Sequence, residues 1–545
     1  MRTKLLKTVY QRNNQRELLY LALTAGAIFR LIFIFSNHDL SPDGAHYASL
    51  GYHLLHAGQY VSNGSQFPDI VQPPFYPFLL GVFSFVFEPV LAGKLISFLA
   101  GMSLIVAVYL FVKRLSQKTF LAEVSALLVS FNPALIYVSA RVATEAVYFL
   151  LLFVSFACLL FYLKENGSQK LVSCAAFAIG LAYLTRPETV SYLLMMLIIL
   201  IIWRKKVKGM LIFTGIIVFF VLAYGLFVFS VSGDFKVYPK ISFVRVHSQI
   251  SRHFLNEDEK QHKKTDFKFH LNRVRYSLNS SADELLTNAV FAGQETLPSM
   301  VSEKRPADKK IKKFLVFTIG NTFKAIKKFL WGQILPPGYL LFLLIGILKF
   351  PWNKNRGLVL YCAFFLLPTF LVIMANVEQR FLYFPGLIMM PMAAYGILKF
   401  NEQFSIYIKK LKSEKTIALI AVIFVFLTSV PNYAQTFRTM LKNEYYYSAG
   451  HWLNQNVDHQ ATIAATVPQP IYFAKRRFVV LPFAPLDSLQ LYLLRKQVNF
   501  ILIESKDRLR RPWQLEKNQW PAFLELVAVK RFNNQTMFLL RVKKE

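Results

Sequence analysis

The sequence predicts a polytopic α-helical membrane protein that ends in a smaller α/β domain. Three observations predict it. Apolar residues fall in runs of about twenty, the length of helix that crosses a hydrocarbon core about 30 Å thick. Lys and Arg collect at the ends of those runs, as membrane topology requires. Past residue 431 the long runs stop, and short β-rich stretches alternate with helical ones.

The composition agrees. Of 545 residues, 54% are apolar and 52 are Phe, more than a soluble globular chain of this length carries. The net charge of +33 does not mark a nucleic-acid partner, because apolar spans interrupt it and no basic–aromatic module accompanies it. The three cysteines, Cys158, Cys174 and Cys362, all lie inside apolar runs. Neither a disulfide framework nor a cysteine metal site follows from them.

In order, the predicted spans are 18–36, 90–112, 120–140, 145–163, 171–186, 188–203, 210–231, 333–348, 357–375, 381–398 and 416–431, eleven in all. The basic amino terminus MRTKLLKTVYQRNNQR precedes the first run without a small-residue cleavage site, so the first span is expected to be uncleaved. With that terminus cytoplasmic, the inside pieces hold roughly 22 Lys and Arg and the outside turns and short loop roughly three. The first long loop, within 37–89, has no Lys or Arg and is expected outside. Arg30, within the first span, is expected to pair internally or to snorkel.

Residues 1–431 therefore read as the membrane domain, with outer loops 37–89 and 232–332, and 432–545 as an extracytoplasmic α/β domain. The end of the second loop, KKIKKFLVFTIGNTFKAIKKFLW at 309–331, reads as a basic amphipathic helix lying on anionic headgroups, or alternatively as a gate over a lipid-phosphate site. In the tail, 461–467, 478–483, 499–505, 525–532 and 536–542 read as strands and 488–497 as a helix. The tail has no GxGxxG and no P-loop, so nothing there points to a nucleotide.

The first loop is the most informative segment. Ser41-Pro42-Asp43 is a helix start, with Ser as cap and Pro at the first helical position. Asp43 falls in the first turn, where the helix dipole favours the carboxylate. An ionised carboxylate can take a proton from an attacking hydroxyl; it can equally be only a favourable first-turn charge. Tyr47 follows one turn later, Gly51 and Gly58 permit close packing, and QPPFYP at 72–77 carries Tyr76. His53 and His56 share a face of the same helix as His46, but no nearby acid completes a usual metal set.

Three further segments carry charge. Glu145 opens the fourth span, where an acid is expensive and so more often functional. Arg186 and Glu188 sit in one turn, either as a mutual pair or with Arg186 orienting an acceptor or a phosphate. Arg380 precedes the tenth span with Glu378 two residues before it; a guanidinium there either snorkels or gives bidentate hydrogen bonds to a phosphate.

The order Asp43-x-x-x-Tyr47, Gly58-x-Tyr60, Pro73-Pro74-x-Tyr76-Pro77 and Arg380-x-x-x-x-Pro385 resembles the GT-C superfamily of membrane glycosyltransferases. The likeness is greatest to its bacterial protein O-mannosyltransferase-like and aminoarabinose-transferase-like branch. The resemblance implies about eleven transmembrane helices and an inverting transfer of a sugar from a polyprenyl-phosphate donor on the outer side of the membrane. It implies Asp43 as base, with Glu145 near the active site. Arg380, with Arg186, would bind the donor phosphate, and Tyr47, Tyr76 and Glu188 the substrate. One departure stands out. Protein mannosyltransferases place a Glu directly after that Asp, and here it is Gly44, which argues against a simple protein mannosyltransferase.

The resemblance implies a polyprenyl-phosphate sugar donor, a lipid, glycan or protein acceptor and membrane lipids as surroundings; the charge pattern excludes nucleic acid, and no cofactor is expected, with a divalent-metal requirement left open and not indicated. The expected location is a bacterial inner membrane. The competing readings are a lipid-linked-sugar flippase, which predicts mid-span charges and matched halves, and a polysaccharide polymerase or ligase.

Overall fold

The computed structural model describes residues 17–36, 38–62, 68–70, 72–165, 167–186, 188–203, 207–232, 235, 237, 307–330, 334–375, 378–407, 414–481, 486–505, 520–533 and 535–543. Most of the 232–332 loop and the basic amino terminus lie outside the described residues.

Among the described residues the helices are α1 (Glu17–Phe35), α2 (Pro42–His56), α3 (Phe75–Phe83), α4 (Pro89–Ser116), α5 (Thr119–Phe131), α6 (Pro133–Ser139), α7 (Glu145–Lys164), α8 (Gln169–Tyr183), α9 (Thr189–Ile202), α10 (Val207–Ser232), α11 (Ala307–Leu330), α12 (Pro337–Lys349), α13 (Arg356–Ala375), α14 (Gln379–Tyr407) and α15 (Glu414–Lys442). Each predicted span falls on one of them. Six helices are individually long and apolar enough to cross a membrane, and the bent pair α5–α6 makes a seventh. Helices α8, α9 and α12 are apolar but shorter. Two boundaries differ from expectation. The span predicted at 120–140 is two helices meeting at 63°, because Pro133 has no N–H to continue the ladder. The span predicted to end at 431 runs through Pro431 to Lys442.

The chain divides into two compact units, each built from three stretches. The first unit is 1–36, 94–221 and 304–439. Its break at Asn132 shows how such a helix end is tolerated. The last four carbonyls of a helix have no partner within it, and hydrocarbon offers no water. Here the Tyr339 hydroxyl donates to Leu128 O (2.7 Å), Arg30 Nη1 to Ser130 O (3.3 Å) and the Tyr433 hydroxyl to Phe131 O. Arg30 also donates to Ser139 Oγ (2.8 Å) and Gly26 O (3.0 Å). It is therefore a buried internal donor, one of the two fates expected for it. Asn132 restarts the helix by accepting from Leu135 N (3.0 Å). Elsewhere in this unit α12 and α14 cross at glycines: a Cβ on Gly396 would stand 1.8 Å from Phe342 O, and one on Gly346 would stand 2.1 Å from Met392 O.

Helix α11 forms where the basic amphipathic segment was expected. Ile319, Phe323 and Ile326 are exposed beside Lys324 and Lys327, the composition of a helix that lies at an interface.

The second unit is 37–93, 222–303 and 440–545. It unites the first loop with the tail. In the loop, α2 and α3 pack so closely that a Cβ on Gly51 would meet Pro77 O at 2.5 Å and one on Gly81 would meet Gly51 O at 2.4 Å. Gly58 serves differently, with a positive φ of 65° just past α2. The tail holds helices α16 (Glu444–Asn456), α17 (Gln469–Phe473) and α18 (Leu486–Arg495), with strands β1 (Thr462–Ala465), β2 (Arg477–Val480), β3 (Phe500–Glu504), β4 (Leu524–Phe532) and β5 (Gln535–Val542). The sheet order is β2-β1-β3-β5-β4, parallel through β3 and antiparallel beyond it. All five predicted strands are present. One apolar cluster, with Leu489, Tyr492 and Leu493, covers part of the sheet, and a second, with Tyr445, Ala449 and Leu453, covers another.

Removing one hydroxyl from the helix break should expose its cost. Tyr339→Phe and Tyr433→Phe should each destabilise by about 1–3 kcal/mol, the cost of a buried carbonyl left without its donor. The midpoint of thermal unfolding in detergent checks this.

Candidate active site

In the first unit, three helix boundaries deliver charged side chains to one place. Glu145 is the first residue of α7, where the helix dipole favours a carboxylate. Arg186 lies in the turn between α8 and α9, which Thr189 Oγ1 holds by donating to Ala182 O (3.0 Å) and Arg186 O (2.6 Å). Arg380 is the second residue of α14.

Arg186 Nη1 donates to Glu145 Oε1 at 2.7 Å and to Thr144 Oγ1 at 3.3 Å. Its other nitrogen, Nη2, reaches Glu188 Oε1 at 3.4 Å, and its guanidinium lies 5.6 Å from the Tyr148 ring centre. Arg380 Nη1 approaches the same Glu145 oxygen at 3.7 Å, and its Nε forms an ion pair with Glu378 at 2.6 Å. The sequence alternative of an Arg186–Glu188 pair is present, but the nearer partner is Glu145. Nothing in the spacing signals that pair, because its members lie 41 residues apart.

The two cations differ in setting. The side chain of Arg186 is 9% exposed and that of Arg380 is 35% exposed. Arg186 is locked among buried groups, whereas Arg380 and Glu378 are half-buried and form the more exposed side of the cluster. Glu145, Arg186, Glu188 and Arg380, together with Tyr148, Phe149, Tyr192, Thr369, Phe381 and Phe384, line a small cavity of about 30 Å³, room for one or two water-sized oxygens. The Tyr192 hydroxyl is hydrogen-bonded to Thr369, which holds that aromatic wall. Such a place, aromatic on one side and lined on the other by two arginines paired with glutamates, can hold a polar oxygen of a ligand in a low-dielectric setting.

Asp43, Tyr47 and Tyr76 belong to the second unit. Ser41 Oγ accepts from Gly44 N at 2.9 Å, with Pro42 at the first helical position, so the cap is the one the sequence spells. Asp43 is half-buried in the first turn. Tyr47 and Tyr76 are interior residues whose rings meet edge to face at 5.5 Å. Their hydroxyls donate to Gln72 Oε1 (3.2 Å) and Gly93 O (3.2 Å), so both build the loop.

One residue of this unit was not anticipated. Asp69 accepts from Gln72 N (2.9 Å), and its other oxygen lies 2.6 Å from His46 Nε2. This pair closes the loop back onto α2 across 23 residues, a separation that carries no periodic signal. Above it, burial first, then Asp69, pushes the Tyr60 hydroxyl well above its ordinary pKa. It therefore stays a neutral donor to Gln72 O (2.9 Å) and Pro73 O (3.2 Å). His53 bonds to Ser49 O (2.8 Å) and His56 to Ser84 Oγ (3.0 Å). Among the described residues no three His, Cys, Asp or Glu side chains group as metal ligands.

Comparison with known proteins adds the following. The family model for dolichyl-phosphate-mannose-protein mannosyltransferase matches residues 71–228, a stretch that contains Glu145, Arg186 and Glu188. The fold is similar to that of ArnT from Cupriavidus metallidurans bound to undecaprenyl phosphate, with a TM-score of 0.50 at 10% identity over 96% of this chain and 98% of that one. It is also similar to the oligosaccharyltransferase of Archaeoglobus fulgidus tethered to an acceptor peptide, with a TM-score of 0.53 at 10% identity over 90% of this chain and 69% of that one. None of the curated proteins matches this chain.

The unequal burial of the two arginines predicts unequal substitutions. Arg186→Ala or Glu145→Ala, each leaving a buried charge without its main partner, should destabilise by about 3 kcal/mol. Arg380→Ala, at the more exposed pair, should cost about 0–1 kcal/mol. Thermal unfolding of the three variants checks the order.

Proposed function

We propose that this chain, whose fold is similar to those of GT-C membrane glycosyltransferases, moves a sugar from a polyprenyl-phosphate-linked donor to an acceptor on the extracytoplasmic face of a bacterial inner membrane. The observation that carries the reading is Arg380, a half-buried guanidinium placed against an aromatic wall and paired with the half-buried Glu378. A partly exposed ion pair opens at less cost than a buried one. A donor phosphate can therefore exchange for the Glu378 carboxylate and take two parallel N–H···O bonds from Arg380.

The neighbouring Glu145–Arg186 pair acts as the scaffold. Glu145 holds Arg186 firmly and touches Arg380 more loosely, so it orients the phosphate-binding cation without neutralising it alone. Glu188 completes the anchoring of Arg186. Tyr47 and Tyr76 serve the reaction by keeping the loop rigid.

In the proposed reaction an acceptor hydroxyl or amine attacks the anomeric carbon. The bond from that carbon to the acceptor forms as the bond to the phosphate oxygen breaks, and the polyprenyl phosphate leaves with the electron pair. The acceptor proton passes to Asp43, whose carboxylate the first turn of α2 keeps receptive. Stabilising the leaving phosphate is the largest contribution asked of the protein. The acceptor class is a lipid, a glycan or a protein, and no cofactor is required.

Purified protein in lipid should transfer label from a polyprenyl-phosphate sugar to an extract of glycans, lipids and proteins. Asp43→Asn should lower turnover by about 100-fold or more, as expected for loss of a general base. Arg380→Ala should lower kcat/KM for the donor by about 10- to 100-fold, the worth of hydrogen bonds to a charged group. Full transfer by Asp43→Asn defeats the base assignment. Unchanged donor dependence in Arg380→Ala defeats the phosphate role, and label that crosses vesicles without transfer indicates a flippase.

A further inference from the structure

The tail carries no residue of the proposed reaction, yet it reaches the root of the helix that bears Asp43. His38 and Asp39 stand three and two residues before that helix's cap, Ser41. The backbone N–H of His38 donates to Glu444 Oε2 (2.9 Å), and its ring Nδ1 lies 2.5 Å from Glu444 Oε1. The His38 ring stacks on Tyr447 with centres 3.8 Å apart and planes within 11°. Asn443 Nδ2 donates to Asp39 Oδ1 at 2.8 Å, and Asp39 is buried.

All three partners come from one place, the start of α16. That start is itself anchored to the sheet, because Glu504 at the end of β3 accepts from the Tyr445 (3.2 Å) and Tyr446 (3.1 Å) hydroxyls. A second contact braces the loop. Helix α17 packs on α2, and the Tyr472 hydroxyl bonds Glu88 at the loop's far end.

We propose that α16 positions the base: Asn443 and Glu444 clamp His38 and Asp39, and thereby fix the entry of α2 and the place of Asp43. The inference rests on the reading of Asp43 as the base. The physical case is one of lever length. Asp43 stands four residues past Asp39 and two past its cap. A short backbone segment held at its start by hydrogen bonds and a stacked ring has few conformations left to sample. A base must stay within hydrogen-bond reach of the proton it takes, and misplacement by about 1 Å costs turnover heavily. The tail then serves as the rigid frame for a catalytic loop, and Asn443 and Glu444 are positioning residues that touch no substrate.

The test uses the full-length protein in lipid nanodiscs with a labelled polyprenyl-phosphate sugar that the unaltered protein consumes. In Asn443→Ala/Glu444→Ala, amide hydrogen exchange across 41–56 should quicken by about tenfold or more, while exchange in β3 stays slow, showing that the sheet remains folded. kcat should fall with the KM for donor unchanged. Glu444→Gln, which keeps an oxygen for the His38 N–H, should recover most of kcat. Unchanged exchange across 41–56 overturns the clamp. Faster exchange with full turnover, in a protein that Asp43→Asn inactivates, overturns its positioning role. Full turnover by Asp43→Asn overturns instead the base reading beneath it.

Discussion

A peptide group in hydrocarbon finds no water, so every backbone N–H and C=O within a span must be satisfied by the protein. The first unit meets this constraint even where the sequence interrupts a helix. Pro133 breaks the α5–α6 span, and the carbonyls it releases are taken up by Tyr339, Arg30 and Tyr433 from other helices. A buried arginine in a span is costly. Here the cost is offset by three oxygens that accept from its guanidinium: Ser139 Oγ, Gly26 O and, at the break itself, Ser130 O. Much of the packing in this unit follows, because α1, α12 and α15 must all come close enough to α5 to supply those groups.

The break also leads to chemistry. The chain leaves α6, turns, and starts α7 on Glu145. A carboxylate at a helix start is stabilised by the dipole, and two arginines from two other helix boundaries share it. The more deeply held of them, Arg186, makes the short bond, while Arg380 is paired with the half-buried Glu378. Two chemically identical side chains in one cluster thus differ in exposure and in how closely they share its carboxylate.

The second unit joins the first loop to the chain's end. Its loop is shaped by the glycine contact between α2 and α3, by the His46–Asp69 closure, and by Tyr47, Tyr60 and Tyr76 in its interior. Its tail, read from sequence only as an α/β domain without a nucleotide motif, contributes Asn443, Glu444 and Tyr447 at the root of α2. The parallel strands β2, β1 and β3 with antiparallel β5 beside β3 form the frame on which α16 is fixed.

Many local features were legible in the sequence, although not the bend at Pro133 or the extension past Pro431. Run length placed helices on every predicted span, because the cost of crossing hydrocarbon depends on consecutive apolar residues. Ser41-Pro42-Asp43 announced its cap, because a cap bond joins residues three apart. Alternation in the tail located all five strands. The motif order anticipated the GT-C fold and brought Glu145, Arg186 and Arg380 forward as candidates. What stayed hidden were the partners: Glu145 for Arg186, Asp69 for His46, Tyr339 and Tyr433 for the broken helix, and Glu444 for His38, 406 residues away. Periodicity and spacing encode which residues share a face within about two turns. Which faces then meet is decided only when the helices and the sheet pack, and it is that packing which buries Arg186 and leaves Arg380 more exposed.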